Sequence, residues 1–323
     1  MQKSIKHILV AGGAGFVGSN LCEFLVSQGN FVIALDNLST GKKKNIEHLL
    51  AHRNFRFVKG DVVNPSRLAG TLPMNWGGTN LNEIYHLASP ASPPQYQRNP
   101  INTWKANTIG TLNLLELAKK HKAKFLFAST SEVYGDPKEH PQKETYFGNV
   151  NPVGIRACYD ESKRAGEAVC KDFNRLYNLD IKIVRIFNTY GPKMNKADGR
   201  VVSNFINQGL RNQSITIYGN GKQTRSFMYV SDLIFGLTKF MAKRKIGPVN
   251  LGNPQEFTIS QLAKFVISST KSKSKIIYKA LPADDPKQRK PDISLAKKIL
   301  NWYPKISLNE GLKTTIDYYR NEL

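Results

Sequence analysis

Short runs of β-branched and apolar residues recur along the first part of the chain, at 7–12 (HILVAG), 31–36 (FVIALD), 55–61 (FRFVKGD), 83–88 (EIYHLA), 124–130 (KFLFAST) and 181–187 (IKIVRIF). Each is too short for a typical helix and is dominated by apolar or β-branched residues, which predicts strands of a sheet covered on both faces. Between them lie stretches with apolar residues at helical spacing, clearest over 100–120 and 159–177. Strand and helix alternate without hairpin signals, so the pattern predicts right-handed βαβ units, a parallel sheet covered on both sides and a doubly wound α/β fold. After residue 188 the rhythm changes to a loop (NTYGPKMNKADGR), a helix (VVSNFINQGL), a short strand (ITIYG) and a second loop (GNGKQTRSF). The expected division is a main domain over 1–188 and a smaller lobe over 189–323, with 231–252 returning to the main domain through VNLG (249–252). TLPMNWGGTN (71–80) reads as a surface loop.

Composition changes this picture little. The 47 Lys and Arg against 24 Asp and Glu give a formal charge of +23, which alone suggests a polyanionic partner. Yet the basic clusters GKKKN, KKHKAK, KRK, KSKSK and KQRK are spread over the whole chain and form no nucleic-acid-binding motif. A nucleic acid is therefore not expected as partner; the clusters read as solvated lysine-rich faces with a smaller positive cleft for an anionic metabolite. There is no membrane-length apolar run and no signal-peptide pattern, and Cys22, Cys158 and Cys170 form no C-x-x-C pair. The expectation is a soluble, cytoplasmic protein with reduced thiols and no membrane partner. His48 and His52 stand four apart on a predicted helix without a third ligand nearby, so a surface helix is the plainer reading and no metal is expected. His86 reads as a core or near-cofactor residue.

ILVAGGAGFVGSNLCEFL sets Gly12, Gly15 and Gly18 three residues apart between a strand and an apolar-periodic helix. Glycine suits a tight turn, close backbone approach to a pyrophosphate and close helix–strand packing. The triplet alone says little, but the second strand ends in Asp36, eighteen residues beyond Gly18, where a carboxylate can accept both ribose hydroxyls. This predicts a Rossmann-type dinucleotide site, and since Asp36 would repel a 2′-phosphate, NAD is expected over NADP. Asp61, closing the third strand, can reach an adenine or simply cap its loop.

Tyrosine followed four residues later by lysine occurs at Tyr134/Lys138, Tyr159/Lys163 and Tyr218/Lys222. Pro137 breaks the first segment, and Gly219 with Gly221 makes the third a turn. YDESKRAGEAVCKDF lacks proline and has helical spacing, which puts Tyr159 and Lys163 one turn apart on one face. An ammonium there, with a positive nicotinamide ring, would lower the phenol pKa toward the range needed to take a proton from an alcohol.

With Thr130 three residues ahead of Val133 in FASTSEVYGD, these features resemble the extended short-chain dehydrogenase/reductase family of sugar-nucleotide epimerases and dehydratases. The resemblance implies that Thr130 and Tyr159 share a substrate hydroxyl and that Lys163 also holds the nicotinamide ribose. Cofactor contacts are expected from Gly12, Gly15, Phe16, Val17, Gly18, Asp36, Asn37, Asp61 and Val62, with Tyr159 and Lys163. Simple 4-epimerases of the family carry an uncharged residue at the position of Glu132, 4,6-dehydratases an Asp-Glu pair, and UDP-glucuronate decarboxylases a glutamate after serine, as in Ser131-Glu132. HLASPASPPQY, YGDPKEHPQKETYFGNVNP, RACYDESKR, RIFNTYGPKM, DGRVVSNFI, YGNGKQTRSF and DDPKQRKPDI are similar to that decarboxylating branch, in order over nearly the whole chain. Ala11, Phe147, Ser162 and the longer 71–80 loop depart from its pattern without touching an expected proton-transfer group.

What the similarity implies is NAD-dependent conversion of UDP-glucuronate to UDP-xylose: oxidation at C4, loss of the C6 carboxylate as CO2, protonation at C5 and re-reduction at C4. Glu132 is expected to destabilise the substrate carboxylate or to position the group that protonates C5, with Arg289 close to that carboxylate. Arg200 and Arg225 are expected on the diphosphate, because guanidinium forks match phosphate oxygens. Tyr96, Asn188, Tyr218 and Gln223 are expected on the sugar or nucleotide. The family also implies a homodimer pairing helices near 100–120 and 159–177. The alternatives are a UDP-glucuronate 4-epimerase, a nucleotide-sugar 4,6-dehydratase, or a polyanion-binding protein on an inactive fold.

Overall fold

The six apolar runs become parallel strands in a computed structural model of the protein, which describes residues 4–64, 80–244, 247–280 and 288–322. They are β1 (His7–Ala11), β2 (Phe31–Asp36), β3 (Phe55–Lys59), β4 (Glu83–His86), β5 (Lys124–Thr130) and β6 (Ile181–Ile186). A seventh strand, Val249–Leu251, pairs in parallel with β6. Across the sheet the order is Val249–Leu251, β6, β5, β4, β1, β2, β3. The inner strands are buried on both faces because helices cover both, while edge strand β3 leaves Arg56 and Lys59 exposed. One face packs on α1 (Phe16–Ser27), Val230–Met241 and Ser294–Leu300; the other on Ile109–His121 and Ala157–Tyr177. A third apolar cluster, around Phe205, Ile217, Leu262 and Leu312, is built from segments after residue 188, with Phe16 packed against it.

Several local expectations need correction. The helical stretch 100–120 is two helices, Pro100–Asn107 and Ile109–His121, separated by a turn at Thr108. The GNGKQTRSF loop contains a strand, Thr224–Ser226, which pairs antiparallel with Glu256–Thr258; a partner thirty residues away leaves no trace in local periodicity. His48 and His52 do not share a helix, since Lys43–Leu49 is a short 3-10 segment that ends before His52. His48 faces Glu23 at 3.5 Å, and Nδ1 of His52 accepts from the Asn54 N–H at 3.1 Å. Residues 71–79 of the expected surface loop lie outside the described residues. Among the described residues no helix is long and apolar enough to cross a membrane.

Candidate active site

The chain runs from β1 through β2 to β3 on one side and then crosses back to β4 on the other side of β1. Such a reversal opens a crevice beyond the carboxyl ends of the strands. Here a cavity of about 730 Å³ occupies it and is lined by residues from Gly12 to Arg289. All the site residues expected from the sequence line this one cavity.

At its β1–β2 end the backbone is bare. Gly12 has φ +84°, and a Cβ there would stand 2.7 Å from the Leu87 carbonyl carbon; a Cβ on Gly18 would stand 2.0 Å from the Gly12 oxygen. Only glycine allows α1 to begin this close to β1. Asp36 accepts from the N–H groups of Ala14 at 3.0 Å and Leu38 at 2.8 Å. Burial pushes its pKa up, while these backbone donors pull it back. Asp61 both caps its loop, accepting from Val63 N–H at 3.0 Å, and accepts from Asn37 Nδ2 at 2.9 Å. Gly15, Phe16, Val17 and Val62 complete this wall. A helix N-terminus without side chains in the way, facing a carboxylate at the next strand end, fits the pyrophosphate and ribose of NAD.

Beyond the ends of β4 and β5 stand Thr130, Glu132, Tyr159 and Lys163. Thr130 ends β5, and its Oγ1 accepts from the Glu132 N–H at 3.2 Å and bonds the Tyr159 phenol. Burial pushes the phenol above its usual range, and the Thr130 bond works against that shift. Tyr96 stacks on Tyr159 with centroids 4.9 Å apart and planes 5° from parallel, which fixes the phenol ring. Lys163 donates to the Ala128 carbonyl at 2.8 Å and lies 5.9 Å from the centroid of the Tyr159 ring. Burial brings its pKa down to about 7. His86 is wholly buried, 3.0 Å from Thr111 Oγ1, and burial with the Lys163 charge holds it down at about 3, so it stays neutral.

Glu132 is the electrostatic centre of the cavity. Arg289, 157 residues away in sequence, donates from Nη1 to Glu132 Oε1 at 3.1 Å and from Nη2 to the Gly135 carbonyl at 2.9 Å. Arg156 pairs with Glu132 Oε2 from the other side. Burial opposes ionisation of Glu132, but the charges of Arg289, Arg156 and Arg225 outweigh it and hold the carboxyl well below its usual range. Asp160, also buried, is driven the other way by burial and by the Glu132 charge.

The far end belongs to the smaller lobe. Arg200 is ion-paired with Asp198, and Arg225 donates to the Thr224 carbonyl at 2.8 Å. Gln223 Nε2 donates to the Tyr218 carbonyl at 2.6 Å, and Met228 N–H donates to the Asn188 carbonyl at 2.9 Å. Arg156 was not singled out from the sequence. The available signal was its place in RACYDESKR, three residues before Tyr159, hence on the same helical turn.

Fold and site together define a dinucleotide-dependent enzyme of the short-chain dehydrogenase/reductase kind. The chain belongs to the NAD dependent epimerase/dehydratase family, which it matches over residues 8–252. It is 51% identical to UDP-glucuronic acid decarboxylase 1 of Xenopus tropicalis over 322 residues, covering all of this chain and 74% of that one. It is 52% identical to UDP-glucuronic acid decarboxylase 1 of Arabidopsis thaliana over 317 residues, covering 98% of this chain and 70% of that one. Among solved structures it is similar to UDP-glucuronic acid 4-epimerase of Bacillus cereus in complex with UDP-glucuronic acid and NAD, with a TM-score of 0.86 and 28% identity over 98% of this chain and all of that one.

Proposed function

We propose that this protein is an NAD-dependent UDP-glucuronate decarboxylase that forms UDP-xylose. The observation that carries the reading is Glu132 paired with both Arg289 and Arg156 in the same cavity as the Thr130–Tyr159 pair and the glycine cradle. The names of the half-identical relatives support the same substrate and reaction.

The chemistry that NAD supplies when bound is reversible removal of a hydride from C4 of the sugar. Burial keeps the Tyr159 phenol protonated in the free protein, so the charge of bound NAD would be what brings it toward ionisation; as phenolate it takes the proton of the 4-hydroxyl, and Thr130 Oγ1 shares that oxygen. A C4 ketone stands β to the carboxylate, so the C5–C6 bond breaks with its electron pair delocalised into the carbonyl, and C5 is then protonated. Glu132, ionised beside the substrate carboxylate, destabilises it and favours its departure, while Arg289 orients it. Arg200 and Arg225 take the diphosphate; Asn188, Tyr218 and Gln223 contact the nucleotide.

The test is incubation of the purified protein with UDP-glucuronate, read by mass spectrometry. Loss of the mass of CO2 is expected, and a nucleotide sugar of unchanged mass but altered stereochemistry would leave the 4-epimerase instead. We also infer a homodimer, supported by Ile101, Trp104, Ile109 and Leu112, exposed on the helices over 100–121, and by Leu176 and Tyr177, exposed at the end of the helix Ala157–Tyr177; a monomeric mass in solution would reject it. A cytoplasmic location is supported by three unpaired cysteines, and recovery in a secreted or membrane fraction would reject it.

A further inference from the structure

Two arginines grip Glu132, and they are not equivalent. The Arg289 side chain is 3% exposed and anchored on the Gly135 carbonyl as well as on Glu132. The Arg156 side chain is 15% exposed and faces the cavity. Its backbone is fixed relative to the reaction centre: the carbonyl of Arg156 accepts from the N–H groups of Tyr159 at 3.0 Å and Asp160 at 3.1 Å, opening the helix Ala157–Tyr177.

The substrate adds a geometric constraint. Resting on the reading above, a hexuronic acid places its carboxylate on the carbon next to the one whose hydroxyl Tyr159 deprotonates. A sugar bound for that proton transfer therefore brings its carboxylate to the neighbourhood of Tyr159, Glu132 and Arg156. Setting a second carboxylate beside Glu132 is repulsive, the effect that favours loss of CO2, and the sugar acid can bind there only if a cation contacts its carboxylate and offsets part of that repulsion. The charges of Arg289, Arg156 and Arg225 all act on Glu132. With Arg225 committed to the diphosphate and the buried Asp160 driven toward its neutral form, two guanidinium groups contact one ionised carboxylate, which leaves room for a second anion. Arg156 is the more accessible of the two in contact with Glu132.

We propose that Arg156 is the residue that selects a sugar acid over a neutral sugar, by transferring a guanidinium contact from Glu132 to the substrate carboxylate when the sugar binds. Arg289 keeps Glu132 in place during the exchange. In the free protein Glu132 thus stands in for the carboxylate that the substrate will bring, and the Arg156 charge is never left without a partner.

The experiment compares binding of UDP-glucuronate and UDP-xylose, which differ by the carboxylate, to the NAD-loaded protein by titration calorimetry. Arg156→Gln is expected to weaken UDP-glucuronate about ten- to a hundredfold, the range of a charge-assisted contact, and to leave UDP-xylose within about twofold. Arg156→Lys should recover part of the loss. Because Arg156→Gln also frees the Glu132 charge to repel the ligand, the comparison is repeated with Glu132→Gln as background. There the selective loss should persist; its disappearance would show that Arg156 acts only by screening Glu132 and overturn the proposal. Equal losses for both nucleotides would mean a structural role and overturn it as well. A wild-type protein that favours UDP-glucuronate through Arg156 yet releases no CO2 would sink the decarboxylase reading and leave this inference standing.

Discussion

Lys163 shows how burial sets the chemistry of one residue. Its ammonium has the Ala128 carbonyl as acceptor and lies 4.9 Å from the centroid of the Phe127 ring, in a pocket where the residue is 2% exposed. Burial lowers its pKa from 10.5 to about 7, and Glu167 opposes that only in part. The folded pKa lies below the unfolded one, so between about pH 7 and pH 10 the unfolded chain binds more protons at this site, and its contribution to stability rises with pH. The slope is at most about 1.4 kcal/mol per pH unit. Chemical denaturation of wild type and Lys163→Met at several pH values should give a stability difference that shifts in favour of wild type as pH rises through that window and is flat below it. Parallel pH profiles would contradict the assignment. At this scale local sequence is an unequal guide. Tyr159 and Lys163 could be picked from three similar pairs because helical spacing is a local property. Arg289 read from its neighbours alone as a surface arginine in a charged loop, yet folding buries it against Glu132.

At the scale of elements, the helix Ala157–Tyr177 must lie close to β5 for Tyr159 to meet Thr130. Gly166 permits it: a Cβ there would come 2.3 Å from Cζ of Phe127. The contact is reinforced one residue on, where Glu167 accepts from Ser129 of β5 and from Arg185 of β6 at 2.9 and 2.7 Å. Arg185 reaches on to the Tyr134 hydroxyl at 3.1 Å, which donates to Asn250 Oδ1 at 2.8 Å, tying the Ser131–Tyr134 turn to the sheet. Gly166→Ala is expected to destabilise the fold by about 1–3 kcal/mol through overpacking and to lower turnover by moving Tyr159. Urea denaturation and a turnover assay check both; wild-type values in each would mean that the Phe127 ring yields freely. The strands themselves were legible within a residue or two, since doubly buried strands are continuous apolar runs. Thr224–Ser226 was not, because its stability as a strand comes from a distant partner.

On the scale of the whole molecule, one cavity gathers both ends of the chain, with the glycine cradle on one side and the Asn188–Arg225 segments with Arg289 on the other. Ligands that bind only the folded form stabilise it by mass action, about 2.7 kcal/mol at a hundred times Kd. NAD should therefore raise the thermal midpoint, and UDP should raise it further from the opposite end of the cavity. Asp36→Ala should lose most of the NAD increment and keep the UDP increment; loss of both together would place the two ligands differently. The doubly wound sheet, the dinucleotide turn and the Tyr159–Lys163 pair could be read from the residues in order, because they follow from periodicity and from backbone rules acting over a few residues. Only the tertiary structure decided that Arg156 and Arg289 meet on Glu132, that this carboxylate stays ionised while Asp160 is driven toward its neutral form, and that Lys163 loses much of its basicity. Those outcomes depend on burial and on charges brought together across the chain, and neither is a property of any local stretch.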